Sequence, residues 1–586
     1  MGTVDILGLI GGLALFMYGM ELMGDSLKKL AGGKLESILA RLTSTKMKGF
    51  LLGFIVTAVI QSSSATTVML VGFVNSGLMK LGQTISIIMG ANIGTTVTSW
   101  LLSTADIKGT ATIMKLFKPE SFTPILAAIG LIMAMTAKTD HKKNTGSILI
   151  GFALLMFGMD SMSGAVEGLK DNASFTNILT MFSNNPIMGI IVGTIFTAII
   201  QSSSASVGVL QALSLTCIIP YSTAIPVILG QNIGTTITPV ISSLSGNTES
   251  KRVALSCVYV KMIGVVVVAG VFYVLNGFID FAFMTERATA FNIAVLHTLF
   301  NIISTVILLP FTSLIEKLAI KTIRAKKDEH ETDVFDTLDE RFLTVPAFAV
   351  EKCKGLVGDM ANIAVATFKK SISLLDDYDN ALFGEVEKLE STVDKYEDKT
   401  STYLVKIAAH QMSTTDSKAV TELLHCIGDI ERISDHSLNI AKAAREVSEK
   451  NLSFSESAYN DINIIISAVS EILDITSKAL INDDIDLAKH VEPLEQVIDR
   501  LKRKIKAGHI TRLRKGDCTM ELGFILSDLL TNFERISDHC SNIAVCLIEI
   551  NHDSMETHEY LNRLKSGEIK EFADMYEKYK EQYYIK

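Results

Sequence analysis

The sequence predicts an all-α protein in two parts. The first is a polytopic membrane half with two inverted repeats, each containing a re-entrant hairpin. The second is a cytosolic helical bundle of two three-helix units. Three observations carry that prediction. Residues up to about Ile320 form long apolar runs broken by Gly, Ser and Thr, and Val253–Leu275 and Ala290–Leu314 approach the ~20 residues that span a bilayer. From Lys321 onward the chain is charged, nearly free of proline and helical in pattern. Within the first part, GFIVTAVIQSSSAT (Gly53–Thr66) returns 140 residues later as GTIFTAIIQSSSAS (Gly193–Ser206), and GANIGTTVT (Gly90–Thr98) returns at the same offset as GQNIGTTIT (Gly230–Thr238).

Ile6–Met23 reads as a first membrane segment that is retained, because no basic stretch precedes it and its small residues are spread throughout. The loop that follows, Asp25–Gly49, carries Lys28, Lys29, Lys34, Arg41, Lys46 and Lys48, whereas its counterpart, about Val166–Asn185, carries only Lys170. Basic loops stay in the cytoplasm, so equivalent loops lie on opposite sides and the repeats, about 5–137 and 145–276, are inverted. Lys138, Lys142 and Lys143 place the junction between repeats inside. Lys317, Lys321, Arg324, Lys326 and Lys327 do the same for the C-terminal half after a final span at about 290–314. Three apolar stretches (about 50–76, 82–103 and 121–137) lie between the first segment and the junction, and parity demands an even number of full crossings. One stretch must therefore be broken, which is tolerated where backbone is buried in protein or lines a cavity. Gln61–Ser64 and Gln201–Ser204 are the expected hairpin tips.

Such tips suit ion chemistry. A hairpin tip exposes backbone N–H groups, and helix N-termini favour anions. The hydroxyls of Ser62, Ser63, Ser64 and of Ser202, Ser203, Ser204 can donate to an oxyanion, while their oxygens and the Gln61 and Gln201 carbonyls suit a hard cation such as sodium. Asn92, Thr95 and Thr96, with their twins Asn232, Thr235 and Thr236, add oxygen ligands, and each Asn follows its own Gln by 31 residues. Polar residues in membrane helices can also simply join neighbouring helices. Recurrence of both clusters at one offset favours a binding site. No Lys or Arg lies inside the clusters, so a bound polyanion calls for co-bound cations.

These runs resemble the type II sodium/phosphate cotransporter family over about residues 5–315, in the paired QSSS and NIGTT motifs and in HTLFN (His297–Asn301). The resemblance implies inorganic phosphate as substrate and Na+ as coupling ion. Other membrane residues carry weaker signals. Glu21 and Asp160 follow MYGM and MFGM at equivalent places and read as interfacial. His297 and Asn301 share a helix face as a pair joining helices or binding a ligand, and Lys261 reads as a snorkelling residue.

Residues 347–550 read as six helices in two sets of three. ERISDH occurs at Glu431–His436 and at Glu534–His539, and each set holds an earlier Glu-x-x-x-Asp, Glu390/Asp394 and Glu495/Asp499. An i, i+4 pair puts two like charges on one helix face, which makes sense if a cation bridges them. The centres of the pairs lie symmetrically about Ser413–Asp416 in the first set and about Lys515-Gly516-Asp517 in the second, so antiparallel hairpins would bring them level. Glu390, Asp394, Glu431 and Asp435, and likewise Glu495, Asp499, Glu534 and Asp538, therefore suit a divalent or iron ion. His436 and His539 adjoin these motifs without being counted as ligands. This half resembles the PhoU family, regulators of phosphate uptake, whose metal-cluster motif the acidic pairs match. The linker 321–346 reads as charged and flexible, and 551–586 as a charged helical tail.

The function expected is sodium-coupled transport of phosphate into the cell by a membrane domain at 1–320, regulated by the domain at 347–550. The alternative is a membrane phosphate sensor or scaffold without net transport. The expected setting is the plasma membrane with the C-terminal domain in the cytoplasm, and a homo-oligomer is among the partners considered. Nothing in the net charge of −9 suggests nucleic acid, and seven scattered cysteines suggest neither disulfides nor zinc. No GxxxxGK[ST] loop is present, and the Glu-x-x-His motif of di-iron bundles is missing at the acidic pairs, so the chain does not read as an enzyme.

Overall fold

The duplication in sequence becomes a duplication of helices in the computed structural model, which describes residues 3–31, 45–106, 119–167, 181–183, 185–216, 219–324, 334–551 and 570–585. The chain divides into two units, Met1–Phe348 and Ala349–Lys586. Among the described residues there are helices and no strand, apart from one isolated bridge between Pro220 and Arg287. Lys34, Arg41, Lys170, Lys326 and Lys327, used above to orient the loops, lie outside the described residues.

The first unit opens with α1 (Thr3–Ala31), α2 (Lys46–Ile60), α3 (Ser63–Asn75), α4 (Leu81–Gly94) and α5 (Thr96–Ser103). After α6 (Pro119–Thr136) the series repeats as α7 (Asp140–Val166), α8 (Pro186–Ile200), α9 (Ser203–Thr216), α10 (Tyr221–Gly234) and α11 (Ile237–Ser243). The unit continues with α12 (Thr248–Ile279), α13 (Ala290–Leu308) and α14 (Thr312–Thr322). The expected last span is thus interrupted by a 3-10 turn at Leu309–Phe311, where Pro310 has no N–H to continue the helix.

Packing follows the repeat. α2 lies against α4 so closely that a Cβ at Gly90 would stand 1.9 Å from the Phe50 carbonyl oxygen; one at Gly230 would stand 2.0 Å from that of Ile190, on α8. Glycine is required where two backbones meet at that range. α1 and α7 cross antiparallel through Gly12 on Gly158 and Gly19 on Gly151, with added Cβ atoms 2.9 Å and 2.6 Å from the facing carbonyl oxygens. An offset of 139 turns Gly12 into Gly151 and Gly19 into Gly158, so each contact is the image of the other.

Among the described residues, six helical stretches are long and apolar enough to cross a bilayer: Thr3–Leu30, Leu81–Ser103, Asp140–Val166, Tyr221–Ser243, Thr248–Ile279 and Ala290–Thr322. The chain is a membrane protein. The stretch at 50–76 is broken, as expected, at Gln61–Ser62.

The linker departs from expectation. Residues 325–333 lie outside the described part, but Val334–Thr337 and Glu340–Thr344 form 3-10 turns, the second of them packed on α3. Phe342 is wholly buried, packs on Phe73 with ring centroids 5.3 Å apart and sits over Gly72 of α3. Asn75 donates a 2.9 Å hydrogen bond to Asp339, itself 3.2 Å from Arg341. One aromatic anchor and one buried ion pair outweigh the charged composition that suggested flexibility.

The second unit holds two sets of three long helices: α15 (Pro346–Asp376), α16 (Asn380–Ala408) and α17 (Thr414–Glu449), then α18 (Glu456–Asn482), the short α19 (Ile485–Ala488), α20 (Val491–Lys515) and α21 (Met520–Asn551). Ser413 caps α17 by accepting from the Asp416 N–H, and Gly516 ends α20 in the left-handed region at φ 79°. In the tail, α22 (Lys570–Gln582) docks on this unit through buried Tyr579, whose hydroxyl is 3.3 Å from His490 Nδ1.

Candidate functional site

Each QSSS run is a helix break with the same geometry. Gln61 ends α2 and Gln201 ends α8 with φ 59° and 60°, a left-handed conformation rare outside glycine. Ser62 and Ser202 then cap α3 and α9, their hydroxyl oxygens accepting from Ala65 and Ala205 N–H at 3.1 and 3.2 Å. Those two oxygens are spent on capping. Ser63, Ser64, Ser203 and Ser204 occupy first turns, where backbone N–H groups lack helical acceptors. Ser63, Ser203 and Ser204 are buried and Ser64 is half-buried. Hydroxyl pairs close each break, Thr57 to Thr66 at 3.0 Å and Thr197 to Ser206 at 2.7 Å.

The NIGTT runs form the second kind of break, between α4 and α5 and between α10 and α11. Thr95 and Thr235 donate to the Ala91 and Gln231 carbonyls, and Thr96 and Thr236 to those of Ile93 and Ile233. With their protons committed, these hydroxyls have only oxygen lone pairs left to offer, the donor set of a hard cation. Asn232 is buried and its Nδ2 has no acceptor, whereas Asn92 is half-buried.

The structure adds residues that the motif reading passed over. The Thr98 hydroxyl donates to Gln61 Oε1 at 2.7 Å, joining the two breaks of the first repeat. Its twin Thr238 has a buried hydroxyl without a partner, and Gln201 is exposed, so the second repeat leaves this bond unmade. Both threonines stand in the recurring GTTVT and GTTIT, which was the available signal. Gln211 of α9 donates to the Ser99 and Ala290 carbonyls at 3.0 and 2.9 Å, tying the second repeat to α5 and α13. His297 joins helices, its Nδ1 2.9 Å from Ser99 Oγ, and Asn301 donates to the His297 carbonyl within its own helix. Glu21 and Asp160 are exposed. Lys261 corrects the sequence reading: at 7 % exposure it is enclosed by protein and does not snorkel.

In the second unit, Glu390, Asp394 and Asp435 each offer an oxygen, all within 4.8 Å of one another. Burial and neighbouring carboxylates, Asp394 first, push the Glu390 carboxyl above its usual range. Burial and Asp435 raise that of Glu431 to about 7. Hard oxygen donors that repel one another in this way fit a divalent or iron ion. The second set is less free: Glu495 is pushed up to about 8 by burial and by Glu492, Asp499, Asp538 and Glu534, but Lys502 reaches Glu534 at 2.5 Å. The His436 and His539 rings stack with centroids 5.7 Å apart, and their Nδ1 atoms face Asn532 and Asp429 at 2.9 and 2.8 Å.

Comparison with known proteins places both halves. The family model described as Na+/Pi-cotransporter matches residues 15–164 and 155–285, and that of the PhoU domain matches 357–444 and 462–547. The chain is 22% identical to the "Putative inorganic phosphate export protein YjbB" of Salmonella typhimurium, over 95% of this chain and 100% of that one. It is 30% identical to the "Uncharacterized protein YqeW" of Bacillus subtilis, over 53% of this chain and 96% of that one. A shorter stretch, 16% of this chain and 15% of the other, is 36% identical to the "Sodium-dependent phosphate transport protein 2A" of Rattus norvegicus.

Proposed function

The chain belongs to the Na+/Pi-cotransporter family and carries PhoU domains after that region, and from this premise we propose that it is a sodium-coupled carrier of inorganic phosphate regulated by its second unit. The observation that carries the reading is the twinned helix break. Two left-handed glutamines, each followed by a serine cap and a helix N-terminus, provide two sets of N–H and hydroxyl donors for one oxyanion. Ser63, Ser64, Ser203 and Ser204 hold phosphate. Gln61, Gln201, Asn92, Thr95, Thr96, Thr235 and Thr236 supply oxygens to sodium. Ser62 and Ser202 fix the helix starts.

The repeats are inverted in this reading, a view supported by the self-imaged antiparallel crossing of α1 and α7. Alternating access then follows from one repeat-derived bundle moving against the rest. The membrane domain extends over 1–320 and the regulatory domain over 347–550, in the cytoplasm. The acidic sets around Glu390 and Glu495 hold divalent or iron ions that stiffen the regulatory domain. An inward sodium gradient drives phosphate inward. Export is the second reading, favoured by the name of the Salmonella relative.

The test is uptake of labelled phosphate by the variant Ser203→Ala/Ser204→Ala. Its half-saturation for phosphate should rise at least tenfold, since two hydroxyl donors to a charged oxyanion are lost, with the protein still in the membrane. Uptake indistinguishable from the unaltered chain would remove the serines from the site.

A further inference from the structure

Phosphate is a polyanion, and the QSSS and NIGTT runs offer it neutral dipoles alone. Among the described residues of the first unit, two basic side chains outside the motifs are buried, Arg252, which pairs with Glu249, and Lys261. Lys261 lies well inside α12 at 7 % exposure and, among the described residues, forms no ion pair; the groups in electrostatic range are the Cys257 thiol and the His297 ring. An ammonium group held inside a protein without a counter-ion costs several kcal/mol, and ionisable groups at membrane depth mark substrate or ion paths.

Two further observations say what that counter-ion is. α10 and α12 pack together, with Tyr221, Ile225, Leu229 and Ile233 of α10 sharing one apolar cluster with Val265, Val268, Ala269 and Phe272 of α12. Lys261 lies one helical turn before Val265 on the same face of α12, and Asn232, whose buried Nδ2 has no acceptor, adjoins Ile233 of the same cluster on α10. Two buried residues flanking one cluster, one carrying an ammonium group without an ion pair and one an amide without an acceptor, call for an anion. On the opposite side, His297 bonds Ser99, which follows Thr98, the partner of Gln61. Lys261 is thus connected to the first repeat's motifs through His297 and Ser99, and lies on the helix that packs against α10 of the second.

We infer that Lys261 is the resident counter-charge of the transported oxyanion, its ammonium group and the Asn232 amide donating to phosphate oxygens from the second-repeat side. The inference rests on the phosphate-carrier reading above. It alters the charge balance in one respect: one positive charge on phosphate is supplied by the protein, and sodium supplies the remainder.

The test uses the purified full-length chain in sodium, with inorganic phosphate as probe, read both as the phosphate-induced rise in melting temperature and as uptake into proteoliposomes. Lys261→Gln should melt no lower than the unaltered chain without phosphate, since a buried unpaired charge has been removed. Its half-saturation for phosphate should rise at least tenfold, and Lys261→Arg should recover part of the loss. Asn232→Asp places a carboxylate beside the ammonium; it should raise the melting temperature and abolish stabilisation by phosphate. Unchanged half-saturation in Lys261→Gln overturns the inference. So does a lower melting temperature in Asn232→Asp, which would mean that no cation is near. If the unaltered chain neither takes up phosphate nor is stabilised by it, the carrier reading itself fails, whatever the variants do.

Discussion

Gln61 and Gln201 hold a backbone conformation that costs a non-glycine residue about 1 kcal/mol or more, and they do so at twin positions. Gln61 recovers part of that cost through its bond from Thr98; Gln201, exposed, does not. Gln201→Gly is therefore expected to raise thermal stability by about 1 kcal/mol while weakening phosphate transport. A melting temperature below that of the unaltered chain would contradict the assignment of strain. In the second unit, burial raises the Glu422 carboxyl from the ordinary 4.5 to about 7, opposed by Lys354 and reinforced by Asp483. A raised carboxyl favours the folded state while protonated. Its contribution is present below about pH 4.5 and is lost as pH rises through about 7. Thermal melts of Glu422→Gln between pH 5 and pH 8 should show a shallower decline than the unaltered chain, and parallel declines would remove Glu422 as the cause.

At the scale of elements, the duplicated helices were legible because the same residues recur where backbones touch. The hairpin break at Gln61–Ser62 and the symmetric turns at Ser413 and Gly516 follow from spacing. Thr98 and Thr238 stood in the quoted repeats but were passed over beside the more familiar Asn and Thr positions. Lys261 was misread because the burial of its face of α12 by neighbouring helices leaves no local trace in the sequence. The linker was misread because composition averages over charge, whereas docking depends on one side chain, Phe342, entering the space over Gly72. Gly90→Val and Gly230→Val should each separate a helix pair by driving a side chain into a carbonyl oxygen, at a cost of 1–3 kcal/mol or more, read as loss of monodisperse protein on heating. Phe342→Ala should cost about 3–5 kcal/mol of strap docking. Hydrogen exchange over 334–344 measures it, and protection equal to that of the unaltered chain would mean that the anchor lies elsewhere.

For the whole molecule, α15 begins at Pro346, directly after the strap that packs on α3, the helix whose first turn carries Ser63 and Ser64. A change in the second unit therefore has a covalent route to the first-repeat site through Phe342. If the acidic sets hold metal, chelation should lower the melting temperature of the second unit and alter transport rate, and Phe342→Ala should remove the second effect but not the first. Whether the chain moves phosphate with sodium comes before any account of its control. The measurement that decides it is accumulation of labelled phosphate in proteoliposomes of the purified full-length chain, under an inward sodium gradient and with potassium in place of sodium. The account predicts accumulation above equilibrium with sodium and none with potassium. Equal accumulation in both, or none in either, would contradict it.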